Sequence, residues 1–260
     1  MSIGINLNPD TACNFDCIYC QVDRSNPPRA GHVDLDRLHD ELDRMLAAAT
    51  SGALFAEPEF AHTPAPFRRL TDLAFSGDGE PTTCPVFAEA VAIAAELKHK
   101  HAPAPAREGT KLILITDACY LTRPKVVAGL KIMDASDGEI WAKLDAGTEA
   151  YYQRVNRPNF PLDHVIDNIV QTARARPVTI QSLFMRIEGQ PPPEAEIEAY
   201  ADRLNEIGEA GGRLAMVQIC TVARPPAQRY VTSLSDAEVR RIAKRVRDRT
   251  ALPTEAYYAG

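Results

Sequence analysis

Basic residues are in the minority in this chain. There are 29 Lys and Arg against 35 Asp and Glu in 260 residues, a formal net charge of −6. Proteins that hold tRNA or DNA by its phosphates usually carry a basic face. The balance therefore argues against a nucleic-acid substrate, while leaving room for a local patch. No run of eighteen apolar residues occurs, so no membrane-spanning helix is expected. The opening Met1-Ser2-Ile3-Gly4 lacks a basic segment followed by a long apolar one. No secretory signal is read there, and a cytoplasmic protein is expected. No repeat of fixed period is present, and the six histidines form no ligand spacing.

The composition is 45% hydrophobic and 25% charged. It suits a single domain over residues 1–260, with a core over 1–225 and a C-terminal helix and tail over 226–260. Short β-rich runs alternate with stretches of helical apolar spacing. Strands are expected at 3–7, 70–76, 111–116, 139–145, 178–186 and 214–221. Asp34 caps a helix carrying Leu35, Leu38, Leu42, Leu46 and Ala49, and residues 51–69 read as an irregular connection. Further helices follow Pro85, Pro124, Pro161 and Pro193, with a Pro/Ala-rich loop from His99 to Gly109 and a polar loop from Asp145 through Arg157-Pro158. The last helix opens on Ser235 with Glu238 three residues on, a capping box. Six β-then-α units imply an α/β fold with a parallel sheet, either doubly wound or a partial barrel. In both, ligands sit at the carboxyl ends of the strands.

The first such end carries Cys13-Asn14-Phe15-Asp16-Cys17-Ile18-Tyr19-Cys20. Three thiolates at this spacing can face one metal centre. An iron–sulfur cubane held by cysteine normally uses four, so a trio leaves one iron open to another ligand. The alternatives are a zinc site or ordinary thiols. Structural zinc wants four ligands, and the nearest later candidate, His32, lies across a Pro-rich stretch. Tyr19, an aromatic side chain, stands beside the last cysteine. Clustered cysteines without a signal also fit a reducing compartment.

Other strand ends carry polar groups. Gly77-Asp78-Gly79-Glu80 lets a backbone approach a ligand closely, or is a plain tight turn. Trp141, Lys143 and Asp145 share one face of the fourth strand. Lys143 and Asp145 contact a ligand or pair with each other. Thr116 and Asp117 end the third strand, Ser182 and Arg186 share a face of the fifth, and Gln218 and Cys220 share a face of the sixth. Arg154, Asn156 and Arg157 follow the fourth strand, Arg186 ends the fifth and Arg224 follows the sixth; arginines at one rim either grip an anion or are simply solvated. Cys84, Cys119 and Cys220 are candidates for a second cluster, or are buried thiols.

The cysteine spacing resembles that of the radical S-adenosylmethionine (SAM) enzymes. Phe75-Ser76-Gly77-Asp78-Gly79-Glu80-Pro81-Thr82, Leu144-Asp145-Ala146 with Asn156-Arg157-Pro158, and Thr221-Val222-Ala223-Arg224-Pro225-Pro226 are similar to the wybutosine-synthesis-related group, which includes many bacterial members. Gly-Asp-Gly-Glu-Pro stands here for the usual Gly-Gly-Glu-Pro. The archaeal tRNA enzyme carries extra N-terminal cysteines, and no cysteine precedes Cys13. The resemblance implies a partial (β/α)6 TIM-like barrel with a 4Fe–4S cluster on Cys13, Cys17 and Cys20. It implies SAM on the open iron, with Gly77, Gly79 and Glu80 at its amino group. Tyr19, Thr116, Lys143, Asp145 and Gln218 complete the cofactor-binding set, and Lys143 and Asp145 are the catalytic candidates. The cluster would take an electron from a flavodoxin- or ferredoxin-type donor and cleave SAM to a 5′-deoxyadenosyl radical that abstracts hydrogen from a small-molecule or peptide substrate. Alternatives are an RNA-base-modifying enzyme, an activase of a glycyl-radical enzyme, and a non-enzymatic zinc module.

Overall fold

The structure is a computed structural model and describes residues 1–22, 31–101 and 109–259. Most of the loop expected between His99 and Gly109 lies outside the described residues. The chain divides into two compact units. One holds Met1–Ala12, Arg29–Ile115 and Arg123–Glu139; the other holds Cys13–Pro28, Thr116–Thr122 and Ile140–Gly260.

In the first unit, β1 (Ser2–Ile5), β2 (Asp72–Phe75) and β3 (Lys111–Thr116) run parallel, with Ile5 beside Phe75 and Phe75 beside Leu114. Leu73, Phe75, Leu112 and Leu114 are fully buried, as near-continuous apolar strands should be when both faces are covered. Asp34 accepts from the N–H groups of Asp36 and Arg37 and so starts α1 (Leu35–Ser51), which stops at Gly52 with φ 81°. Helix α2 (Phe87–His101) packs on α1 and on α3 (Pro124–Asp134). It buries the expected Phe87, Ala90, Val91, Ala94 and Leu97, and also Lys98. Lys98 is tolerated there because its ammonium donates to Ser136 O at 2.7 Å and pairs with Asp137 at 3.1 Å.

In the second unit, β4 (Gly138–Lys143, its first two residues counted with the other unit), β5 (Val178–Leu183), β7 (Leu214–Cys220) and β9 (Thr254–Tyr257) are parallel neighbours in that order. Helices α5 (Leu162–Ala175), α6 (Glu194–Glu209) and α7 (Asp236–Thr250) cover them, and the capping box at Ser235 and Glu238 is formed.

Three expectations are corrected. Residues 149–156 are not a polar loop but a helix, α4 (Glu149–Asn156). Thr148 Oγ1 caps it by accepting from Tyr151 N, and Glu196 of α6 accepts from the N–H groups of Gly147 and Thr148 at 2.6 and 3.1 Å. The fifth strand ends at Leu183; Arg186 belongs to β6 (Arg186–Ile187), which pairs antiparallel with β8 (Val231–Thr232). The segment read as tail contains β9, aligned on β7 with Gln218 beside Glu255.

Candidate functional site

The cysteine loop belongs to the second unit, and α4 holds it from the side. Ile18 N donates to Val155 O at 2.9 Å and Asp16 N to Asn156 O at 3.0 Å. Both neighbours of Cys17 are thus pinned to the last turn of that helix. Arg157, in the left-handed region with φ 44°, ends α4 and pairs with Asp16 at 3.2 Å. Asn159 N donates to Asn14 O and Ala227 N to Cys20 O. Ile18 is buried in an apolar cluster with Val155, Met185, Ile187 and Val222. That leaves the flanking cysteines to face the other way.

Cys13, Cys17 and Cys20 are half-buried and line one cavity of about 480 Å3, with Arg157, Asn159 and Gln228 on its wall. Burial, with Asp145 nearby, pushes the Cys17 thiol up. Binding a metal reverses that penalty, because the thiolate charge is then shared with the cation. Among the described residues no three Cys, His, Asp or Glu side chains converge as a single ion requires. A cubane makes a different demand, with each thiolate taking its own iron corner around a common volume. Three thiols around one cavity, one of them already accepting an N–H, fit that demand.

Asp145 is the centre of the neighbouring polar network. Oδ1 accepts from Leu183 N at 2.8 Å and faces Lys143 Nζ at 3.1 Å. Oδ2 accepts from the Tyr19 hydroxyl at 2.5 Å and from Asn156 Nδ2 at 2.8 Å. A carboxylate offers about four lone-pair positions, and here three hydrogen bonds and the Lys143 ammonium surround it. Lys143 gives Asp145 one of its three donors, and its ammonium also lies 5.4 Å from the Tyr19 ring centroid. The mutual Lys143–Asp145 pairing weighed from the sequence is formed. The structure also occupies Tyr19 with Asp145 through its hydroxyl, and that hydroxyl is pushed up by burial and by Asp145.

The sequence places Asn156 after the fourth strand and within Asn-Arg-Pro and assigns it no ligand of its own. In the structure its Nδ2 reaches both Asp145 and Cys17 Sγ, the latter at 3.4 Å. Gln218, on β7, accepts from Gln181 Nε2 at 3.0 Å across the ladder. Because Gln181 and Gln218 are register partners, Ser182 must face the opposite side. It donates to Leu144 O and meets the Tyr200 hydroxyl of α6. That corrects its expected place beside Arg186. Thr116 Oγ1 accepts from Ala118 N, the turn-cap role.

Three of the rim arginines are engaged within the protein. Arg154 pairs with Glu188 at 3.5 Å, Arg157 with Asp16, and Arg186 with Glu238 at 2.7 Å. Cys84 and Cys119 are buried and Cys220 is half-buried. Burial pushes the Cys84 and Cys220 thiols up.

The first unit supplies the glycine-rich turn. A Cβ on Gly79 would lie 2.1 Å from Ala12 O, and one on Gly77 would lie 2.4 Å from Asn6 Oδ1. Close packing on residues 6–12 is thus a sufficient reason for both glycines. Glu80 is buried; its Oε1 accepts from Thr82 N at 3.0 Å, and its own N donates to Ala12 O at 2.9 Å.

No protein-family model and no curated protein matches the chain. Solved structures do. Streptococcus suis SuiB bound to S-adenosylmethionine aligns over 100% of this chain and 51% of its own, with TM-score 0.64 and 13% identity. TYW1 with a lysine-pyruvate adduct bound aligns over 94% and 73%, with TM-score 0.55 and 15% identity. The anSMEcpe protein with bound AdoMet aligns over 95% and 60%, with TM-score 0.56 and 14% identity. The chain thus spans about half the length of SuiB. The likeness establishes the fold alone, an α/β architecture shared with these structures, as the sequence led one to expect.

Proposed function

We propose that this chain is a radical SAM enzyme that binds a 4Fe–4S cluster through Cys13, Cys17 and Cys20 and acts on a small molecule or peptide. The observation that carries the reading is the cavity lined by these three cysteines, in a chain with the radical SAM fold. When bound, the cluster supplies the electron that splits the sulfonium of SAM into methionine and a 5′-deoxyadenosyl radical. A flavodoxin- or ferredoxin-type protein is the proposed source of that electron.

The chain's own residues divide the remaining work. Lys143, with donors to spare, is the group assigned to an anionic part of SAM or substrate. Asp145, so surrounded, holds Lys143, Tyr19 and Asn156 in place and is a positioning residue. The turn of Gly77, Gly79 and Glu80 is assigned to the SAM amino group. Gln218 and Thr116 are assigned to cofactor binding, at the cost of exchanging their present partners.

Anaerobic reconstitution with iron and sulfide, then dithionite and SAM, tests the reading. The expected product is 5′-deoxyadenosine. A fully loaded cluster that yields none, with candidate substrates present, overturns it. The motifs similar to the wybutosine-synthesis-related group favour a second reading, modification of an RNA base. The excess of acidic residues weighs against it, and an absence of tRNA binding at low salt removes it.

A further inference from the structure

Asn156 is almost wholly enclosed, with 1% exposure. Its amide faces two acceptors at once, the Asp145 carboxylate at 2.8 Å and the Cys17 sulfur at 3.4 Å. Two acceptors dictate which end of the amide carries the nitrogen. The carbonyl end has no hydrogen-bond partner within the protein. The contacts that the amide makes within the protein are thus those of its donors. Those donors are held on both sides. Asp145 is fixed by Tyr19 and Leu183 N, and Cys17 by the bonds of residues 16 and 18 to the end of α4. The result is a continuous chain, Tyr19 to Asp145 to Asn156 to Cys17.

We infer that Asn156 is a positioning residue that sets the reduction potential of the cluster through its N–H donation to the Cys17 sulfur. The inference rests on the cluster reading above. An N–H donor withdraws charge from a thiolate, stabilises the more negative reduced cluster, and raises its potential. Asp145 opposes this with its own negative charge but fixes the amide's direction. Helix α4 thus does more than close a connection: its last residue ties the metal site to the Lys143–Asp145 pair.

The test is a potentiometric titration of the reduced cluster's EPR signal in the reconstituted full chain. Asn156→Ala, with Asn156→Leu as the variant of similar size, should bind wild-type amounts of iron and sulfide and titrate at a lower potential. Gln153→Ala, on the exposed face of the same helix, should titrate with the wild type. Loaded Asn156 variants that also titrate with the wild type overturn the inference. If neither variant loads a cluster while Gln153→Ala does, the residue is purely structural, and the inference is again overturned. A wild-type chain that binds no cluster is a different failure, that of the functional reading itself.

Discussion

The hydroxyl of Tyr19 donates to Asp145 at 2.5 Å, joining the cysteine loop to a residue two places beyond the end of β4. Tyr19→Phe keeps the ring and deletes only that donor. A hydrogen bond to a buried charge is worth about 1.5–3 kcal/mol, and urea unfolding of the metal-free protein should report a loss of that order. Asp145→Ala should cost more, about 3–5 kcal/mol, because it leaves Lys143 charged and only 14% exposed without its partner. Equal, negligible losses in both variants would show that the network is not organised around this carboxylate.

Metal loading separates the cysteines. Cys17→Ala should abolish incorporation of iron and sulfide, since it removes one of the three proposed ligands from the cavity. Cys84→Ala should load normally, because that buried thiol is not among the residues lining the cysteine cavity. Elemental analysis after anaerobic reconstitution reads both. Equal loss in the two variants would break the assignment of ligands.

Lys143 and Asp145 should part company in SAM binding. Lys143→Met preserves the stem but removes the donors left over from the ion pair. It should weaken SAM binding about tenfold to a hundredfold in calorimetry on the reconstituted protein, the equivalent of about 1.5–3 kcal/mol. An unchanged affinity would make the lysine a partner of Asp145 and nothing more.

Long periodic signals in the sequence translated directly into structure. The caps at Asp34 and Ser235 and the apolar stripes of α1, α5, α6 and α7 formed where expected, because each repeats over several turns and is buried by its own neighbours. Helix α4 was illegible for the opposite reason. Its eight residues bury only Tyr152, Val155 and Asn156, too few to establish a period, and its start depends on Glu196 from far along the chain. The Thr-Glu-Ala-Tyr of β9 carries no strand-like apolar run, and it pairs because β7 offers it an edge. At the site, the spacing of Cys13, Cys17 and Cys20 pointed to a common volume, and all three line one cavity. The contacts of Asn156 were not legible, since they exist only once α4 is placed beside the loop.

Gly79→Ala tests the turn's packing without reference to any ligand. The added Cβ would sit 2.1 Å from the backbone oxygen of Ala12, and backbone cannot yield as a side-chain tip can. Overpacking of this kind costs about 1–3 kcal/mol, visible as a lower urea midpoint. Gly4→Ala, whose Cβ would meet nothing within 4 Å, should unfold close to the wild type. The contrast isolates the steric cause.

Acid should weaken the start of α7 in a defined window. Glu238 Oε2 accepts from Ser235 N at 2.9 Å and from its hydroxyl at 2.8 Å, while Oε1 accepts from Arg186. The Ser235 N–H and hydroxyl, and then Arg186, hold this carboxyl below the usual glutamate range. A carboxyl that binds its proton less readily when folded adds stability above its unfolded value, about 4.3. That stability is lost as pH falls through the lower folded value. Glu238→Gln should therefore be less stable than the wild type at neutral pH, and the gap should close as pH falls below about 4. Ser235→Ala should cost about 1 kcal/mol at pH 7 from the lost cap. A gap between wild type and Glu238→Gln that stays constant from pH 7 to 3 would mean the carboxylate's charge contributes nothing, leaving only its shape to hold the turn.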